Sequence, residues 1–219
     1  MTHESMSYEA VASNIDLLSA WIESQMAYSG QPGLSIAIIF DQKLVWSKGF
    51  GHSDIASGAP AKPDTIYRIA SITKLFTATS IMQLRDGGKL QLDDPITKHL
   101  PWFDIQNKHL DAPAITIRHL ITHTSGLPRE AAFPYWTDSE FPTRDQMVDA
   151  LSKQETVLPT ETRWKYSNLA LSLAGEIVAT VSGIGYAEYV QRNILDPLDM
   201  ASTFVNSPDR DNPSLATGY

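Results

Sequence analysis

Apolar positions along the chain change their period several times, and each change marks a predicted element. Val11, Ile15, Leu18 and Ile22 recur at helical spacing with Leu17 and Trp21 beside them, which predicts an amphipathic helix packed on a partner. Gly30, Pro32 and Gly33 end it. Leu34 to Phe40 and Lys43 to Phe50 are β-rich runs separated by Asp41-Gln42, the pattern of an antiparallel hairpin. Gly49 and Gly51 are expected to break the second run, and His52 to Asp64 reads as small and polar. Order is expected to return at Thr65 to Ile69, before a helix over Ser71 to Asp86 that Gly87-Gly88 stops.

Beyond that point short helices alternate with proline-marked loops, as at Leu92 to Pro95 and Leu100-Pro101. Thr116 and Thr143 are predicted N-caps, the latter with Gln146 as capping-box partner. Leu169 to Val181 is a strongly apolar helix closed by Gly183, followed by Tyr186 to Leu195 and a break at Asp196-Pro197. No internal repeat or low-complexity segment interrupts the series. The order predicts an α+β chain: an N-terminal helix and hairpin in 1–70, then a mainly helical region in 71–200. A hairpin alone makes a poor layer.

Composition narrows the function classes. With 219 residues, 42% hydrophobic and 19% charged, the chain is long enough to bury a sizeable core. The formal charge of -8 is scattered, and no Arg/Lys stripe exists to neutralise a phosphate backbone, so nucleic acid is not an expected partner. The absence of cysteine removes disulfides, thiolate metal sites and cysteine nucleophiles. No apolar run approaches the roughly 20 residues of a membrane helix. Met1 to Ala10 lacks the apolar centre of an export signal, which favours a cytoplasmic location over export with a leader already removed.

Ser71-Ile72-Thr73-Lys74 places a hydroxyl and an amine three residues apart at a predicted helix start, hence on one face. A serine hydroxyl becomes a nucleophile when a neighbouring base takes its proton, a task open to a lysine in a suitable setting. A helix start also offers a free Ser71 N–H to an oxyanion. The plain alternative is an N-cap serine with a solvated lysine. The helix that follows carries Ile72, Leu75, Phe76, Ile81, Met82 and Leu84 around much of its circumference, so Lys74 is expected in an apolar setting. Tyr166-Ser167-Asn168 is the chain's only Tyr-x-Asn. Its two side chains can face one cleft if the backbone is extended, a phenol serving as general acid or base and an amide holding a carbonyl.

Other candidates take structural readings. His119 and His123 lie four apart, yet no His-Glu-x-x-His and no third ligand accompanies them. No metal or cofactor is expected, and His123 is read as a hydrogen bonder within its loop. Asp93-Asp94 is read as capping the helix after Pro95 rather than as an acid pair. Phe133, Tyr135 and Trp136 form an aromatic cluster that reads as packing or as part of a pocket wall. No Gly-x-Ser-x-Gly occurs, which excludes an α/β-hydrolase elbow.

Five motifs in order then define a resemblance. They are Tyr67 to Lys74, Gly88 to Pro95, Leu120 to Leu127, Tyr166 to Asn168 and Pro197 to Met200. Together they resemble the serine β-lactamase and penicillin-binding superfamily, in its class C, D-Ala-D-Ala carboxypeptidase and family VIII esterase branch. The resemblance implies a β-lactamase/transpeptidase-like fold, a helical region beside an antiparallel sheet. It implies Ser71 as acylated nucleophile, Lys74 and Tyr166 as the pair that moves its proton, and Asn168 as a contact for substrate and lysine. Arg129 and Glu130, in the loop after Gly126, become candidate substrate contacts. The implied substrate is a β-lactam, a D-alanyl peptide or a small carboxylic ester. The implied alternative is a non-catalytic penicillin-recognising or assembly protein, or an inactive fragment. The third motif of these enzymes, Lys-Thr-Gly or a His-x-Gly or Trp-x-Gly variant, does not occur in these residues. The resemblance therefore implies that the C-terminal strands of the sheet are missing here, with 201–219 starting the return to it. A C-terminal fragment or a second copy is then expected to cover the open sheet edge.

Overall fold

The computed structural model describes residues 8–133, 142–206, 208 and 212–219, which divide into two units: the described residues up to 68 with those from 202 on, and the described residues between 69 and 201. The first unit opens with helix α1 (Tyr8–Ser29), followed by strands β1 (Gly33–Phe40), β2 (Lys43–Asp54) and β3 (Ala59–Pro60). These form an antiparallel sheet in the order β1-β2-β3. The hairpin turns on Asp41 and Gln42, both at positive φ (48° and 61°), as a two-residue turn matched to strand twist requires. Ile22 and Met26 of α1 are buried with Phe50 of β2, and Leu18, Leu34, Ile36 and Trp46 pack around them. Leu17 and Trp21 are exposed, so the buried stripe of α1 is narrower than its apolar pattern. The side chain of Val11 lies outside the described part.

Two expectations for this unit need correction. Strand β2 does not stop at Gly49 and Gly51 but runs through both to Asp54. Its glycines serve close approach: a Cβ at Gly49 would lie 2.1 Å from the Ala61 carbonyl oxygen, and one at Gly51 2.2 Å from that of Pro32. The stretch read as small and polar contains β3, pairing His52 with Pro60 and Asp54 with Ala59, so the sheet has a third strand that two-residue length hid from pattern reading. The end of the chain returns to this unit. Leu215 bridges Ile66, the Thr217 N–H donates to the Ser53 carbonyl at 2.9 Å, and the Tyr219 hydroxyl donates to Asp54 at 2.7 Å.

The second unit is helical: α2 (Thr73–Asp86), α3 (Ile96–His99), α4 (Ile117–Ile121), α5 (Arg144–Leu151), α6 (Asn168–Ser182) and α7 (Tyr186–Val190). α6 is its centre. Leu169, Ala170, Leu173, Ala174, Ile177 and Val178 are buried on it and share one core with Ile81 and Leu84 of α2, Ile117 and Leu120 of α4, and Leu127. Gly183, at φ 77°, ends α6 in the left-handed conformation expected of a glycine stop. Thr116 and Thr143 each accept a backbone N–H three residues on, and each is half of a capping box, closed by His119 and Gln146 respectively. Phe133 packs against this core; Tyr135 and Trp136 lie outside the described residues. No single helix among the described residues is long and apolar enough to cross a membrane.

Asp93 and Asp94 do point apart, but neither caps α3. Asp93 takes a two-point bond from the Arg118 guanidinium (2.7 and 2.9 Å). Asp94 is buried and accepts from Lys98 at 2.6 Å and the Gln91 N–H at 2.9 Å, with His99 Nε2 at 2.9 Å. Burial pushes the Asp94 carboxyl up, but the bonds from Lys98, Gln91 and His99 outweigh it and hold the group well below the usual carboxylate range. A carboxyl depressed in the folded state stabilises fully above its unfolded pKa of about 4 and loses that contribution as pH falls further. Asp94→Asn should therefore lower stability to urea at neutral pH, with the gap to wild type closing as unfolding is repeated at successively lower pH below about 4. A pH-independent gap would assign the loss to packing.

Candidate active site

Ser71 sits in a single 3₁₀ turn, Ala70–Ile72, that leads into α2. The expected helix start is thus displaced to Thr73, because Ala70 takes a positive φ of 44°. That conformation costs an alanine about 1–2 kcal/mol, and the bends around it put Ser71 at the surface. Lys74 follows one turn later, its Nζ donating to Ser71 Oγ at 3.1 Å. Tyr166 lies 95 residues further on, and its phenol donates to the same oxygen at 2.6 Å. The Ser71 N–H has no acceptor among the described residues.

The expected apolar setting of Lys74 is only half present. Lys74 is half-buried, whereas Ile72 and Leu75 are exposed. The face of α2 that meets α6 carries Ile81 and Leu84, so the apolar residues of its first turn stay outside the unit's core. Lys74 has a different enclosure: its Nζ lies 4.8 Å from the centre of the Tyr166 ring, and the Arg129 guanidinium 5.6 Å from it.

Tyr166 is delivered by the entry to α6. Ser167, in extended conformation (φ -140°, ψ 117°), caps the helix by accepting the Ala170 N–H, and its hydroxyl donates to the Pro128 carbonyl at 2.6 Å. The Asn168 N–H donates to the Arg129 carbonyl at 2.7 Å. The loop from His123 to Glu130 is thereby stitched to residues 165–169. Gly126 lets this loop pass: at φ 72° its missing Cβ would stand 2.0 Å from the Leu158 oxygen.

Asn168 donates to Glu130 Oε1 at 2.6 Å, and Arg129 Nε to the same oxygen at 3.3 Å. Among the described residues no hydrogen bond joins Asn168 to Lys74. Glu130, a candidate substrate contact from its loop position, holds the Asn168 amide. His119 and His123 are both engaged elsewhere, His119 Nδ1 accepting the Thr116 N–H and His123 Nδ1 the Ser167 N–H, each at 3.2 Å. Among the described residues no group of three His, Asp or Glu side chains converges as a metal site would require. The ring of His123 lies 4.6 Å from that of Tyr166, a contact that sequence reasoning missed. Its residue was within the Leu120 to Leu127 motif, but nothing local indicated what it touches.

Lys74 first and Ser71 second hold the Tyr166 phenol below its usual value, burial opposing them and Arg129 adding a smaller pull. The chemistry available is therefore a hydroxyl flanked by a cation and by a phenol that ionises more readily than normal, a unit suited to moving one proton on and off Ser71.

An α+β chain with a serine, a lysine and a tyrosine converging on one oxygen defines a class, the serine β-lactamase and penicillin-binding superfamily. The comparisons with known proteins agree. A family model described as Beta-lactamase matches residues 18–219, and the chain belongs to that family. Beta-lactamase-like protein 2 of Dictyostelium discoideum is 34% identical over 83% of this chain and 34% of its own length. The octameric penicillin-binding protein homologue from Pyrococcus abyssi superposes with a TM-score of 0.80 at 33% identity, over 94% of this chain and 48% of that one. A β-lactamase/D-alanine carboxypeptidase from Yersinia pestis, complexed with citrate, gives 0.78 at 29% identity over 92% and 59%. The chain thus spans between about a third and three fifths of the length of these relatives.

Ultraviolet difference titration should find one tyrosine ionising earlier than the rest. Tyr166→Phe should remove it, and Lys74→Met should move it upward. An unchanged curve in both variants would show that the phenol does not feel Lys74.

Proposed function

We propose that this protein is a serine hydrolase that works through an acyl-enzyme on Ser71. The observation that carries the reading is the placement of Lys74 Nζ and the Tyr166 hydroxyl on Ser71 Oγ. In acylation Tyr166 first loses its phenol proton to solvent, the Lys74 charge steadying the phenolate, and then takes the Ser71 proton as the Ser71 oxygen bonds to the substrate carbonyl carbon. The tetrahedral oxyanion is met by the Ser71 N–H. As the carbonyl re-forms, the bond to the leaving group breaks and Tyr166 returns the proton to that group. Water then repeats the sequence on the ester and frees Ser71. Asn168, held by Glu130, borders this path, with Arg129 as the adjacent cation. The substrate class is a strained or activated acyl compound: a β-lactam, a D-alanyl peptide or a small carboxylic ester.

Treatment with a fluorophosphonate or a slowly deacylating β-lactam should give one adduct by intact mass, mapped to Ser71 and absent in Ser71→Ala. Tyr166→Phe should acylate about a hundredfold more slowly with its fold intact. A chromogenic ester and a chromogenic cephalosporin, assayed side by side, separate esterase from lactamase. Labelling that persists in Ser71→Ala would refute the assignment, and no labelling or turnover of any probe would favour a non-catalytic member of the family.

We further propose that the edge of β1 takes up another strand, from a C-terminal segment or a second copy. Support comes from its position at the end of the strand order and from the exposure of Ile39, Phe40 and Leu44 around the turn. Size-exclusion chromatography of residues 1–219 at rising concentration should show association through this edge. A stable, fully active monomer would contradict it.

A further inference from the structure

One residue holds the backbone on both sides of Tyr166. The Lys165 N–H donates to the His123 carbonyl at 2.8 Å, and the Ser167 N–H to His123 Nδ1 at 3.2 Å. Between those anchors the imidazole lies against the phenol ring, 4.6 Å between centres and 33° between planes, with Trp164 edge-on to it at 5.8 Å. His123 itself takes a φ of 60°, a region uncommon for residues other than glycine, although histidine, with asparagine and aspartate, enters it more often than most. The flanking Thr124 is pinned by its N–H to the His119 carbonyl at 3.0 Å and by its carbonyl to the Glu161 N–H at 2.8 Å. Such a conformation persists only where its surroundings over-determine it.

We propose that His123 is a positioning residue for the Tyr166 phenol, and that it acts only as the neutral imidazole protonated on Nε2. The hydrogen bond dictates this tautomer, since Nδ1 must offer a lone pair to the Ser167 N–H. A proton on Nδ1 would set two N–H groups against each other and release one of the two anchors. The charged or titratable groups that act on the ring are Lys74 on α2, whose charge it feels, and Tyr166, on which it packs; Arg129 of the same loop lies against the Tyr166 ring. Burial first and Lys74 second push the imidazole below its ordinary value, so the neutral form prevails at neutral pH and is lost on the acid side. The inference rests on the proposed role of Tyr166, because misplacing a reacting group by about 1 Å can cost about a hundredfold in rate.

The test compares His123→Asn with His123→Phe in the full chain. Asparagine tolerates the left-handed backbone and keeps an acceptor near the Nδ1 position, but does not titrate; phenylalanine keeps a ring without an acceptor. Wild-type kcat/KM should fall on the acid side with a step that His123→Asn lacks, whereas His123→Phe should lose at least about tenfold in kcat at neutral pH with KM little changed. The Tyr166 ionisation, read by difference titration and independent of turnover, should stay low in His123→Asn and move up in His123→Phe. An acid step unchanged in His123→Asn overturns the proposal, as does an unmoved Tyr166 ionisation in His123→Phe. If His123→Phe does not fold, the acid step in His123→Asn decides alone. If wild type neither labels at Ser71 nor turns over, the function fails, and the tyrosine titration still decides the positioning role.

Discussion

Hydrogen bonds between the loop 123–130 and residues 165–169 set the place of the tyrosine that meets Ser71 Oγ. His123 holds Lys165 and Ser167, Pro128 takes the Ser167 hydroxyl, and Arg129 takes the Asn168 N–H. None of these bonds involves the side chain of Ser71, Lys74 or Tyr166. They fix the first turn of α6, whose orphan donors must be met by something, and in meeting them the loop aims Tyr166 at the start of α2. Because α6 is also the centre of the helical core, any shift of this loop relative to the helix is resisted by buried Leu, Ile and Val side chains. Packing of that kind permits little continuous adjustment.

That dependence explains the two strained residues at the site. Ala70 and His123 both take positive φ, one immediately before the hydroxyl and the other against the phenol. Local strain at a functional site is tolerable when the surrounding core supplies a surplus of stability.

The electrostatics follow from the same geometry. Lys74 reaches Ser71 and the Tyr166 ring at once, so its charge lowers the cost of an ionised phenol beside Ser71. His123 feels the same cation and is further driven toward its neutral form by burial. Glu130 neutralises Arg129 while fixing Asn168, which leaves the border of the site with an oriented amide rather than a free carboxylate.

By itself the sequence determined what depends on neighbours within one or two turns. The Asp41-Gln42 hairpin, the caps at Thr116 and Thr143, the Gly183 stop and the one-turn spacing of Ser71 and Lys74 are set by backbone sterics and short-range hydrogen bonds, which the residue types state directly. The strand β3 was illegible because two residues carry no periodicity, and the continuation of β2 through Gly49 and Gly51 because glycine signals a break as readily as a close approach. Only the tertiary structure decided that Tyr166 and Ser71 share a hydrogen bond, that Glu130 holds Asn168, that His123 clamps the tyrosine, and that the apolar first turn of α2 lies outside the core. Each is a contact between segments distant in the chain, or the exposure left when such a contact falls on another face. Its existence is fixed by how the helices pack around α6, and no local pattern records that.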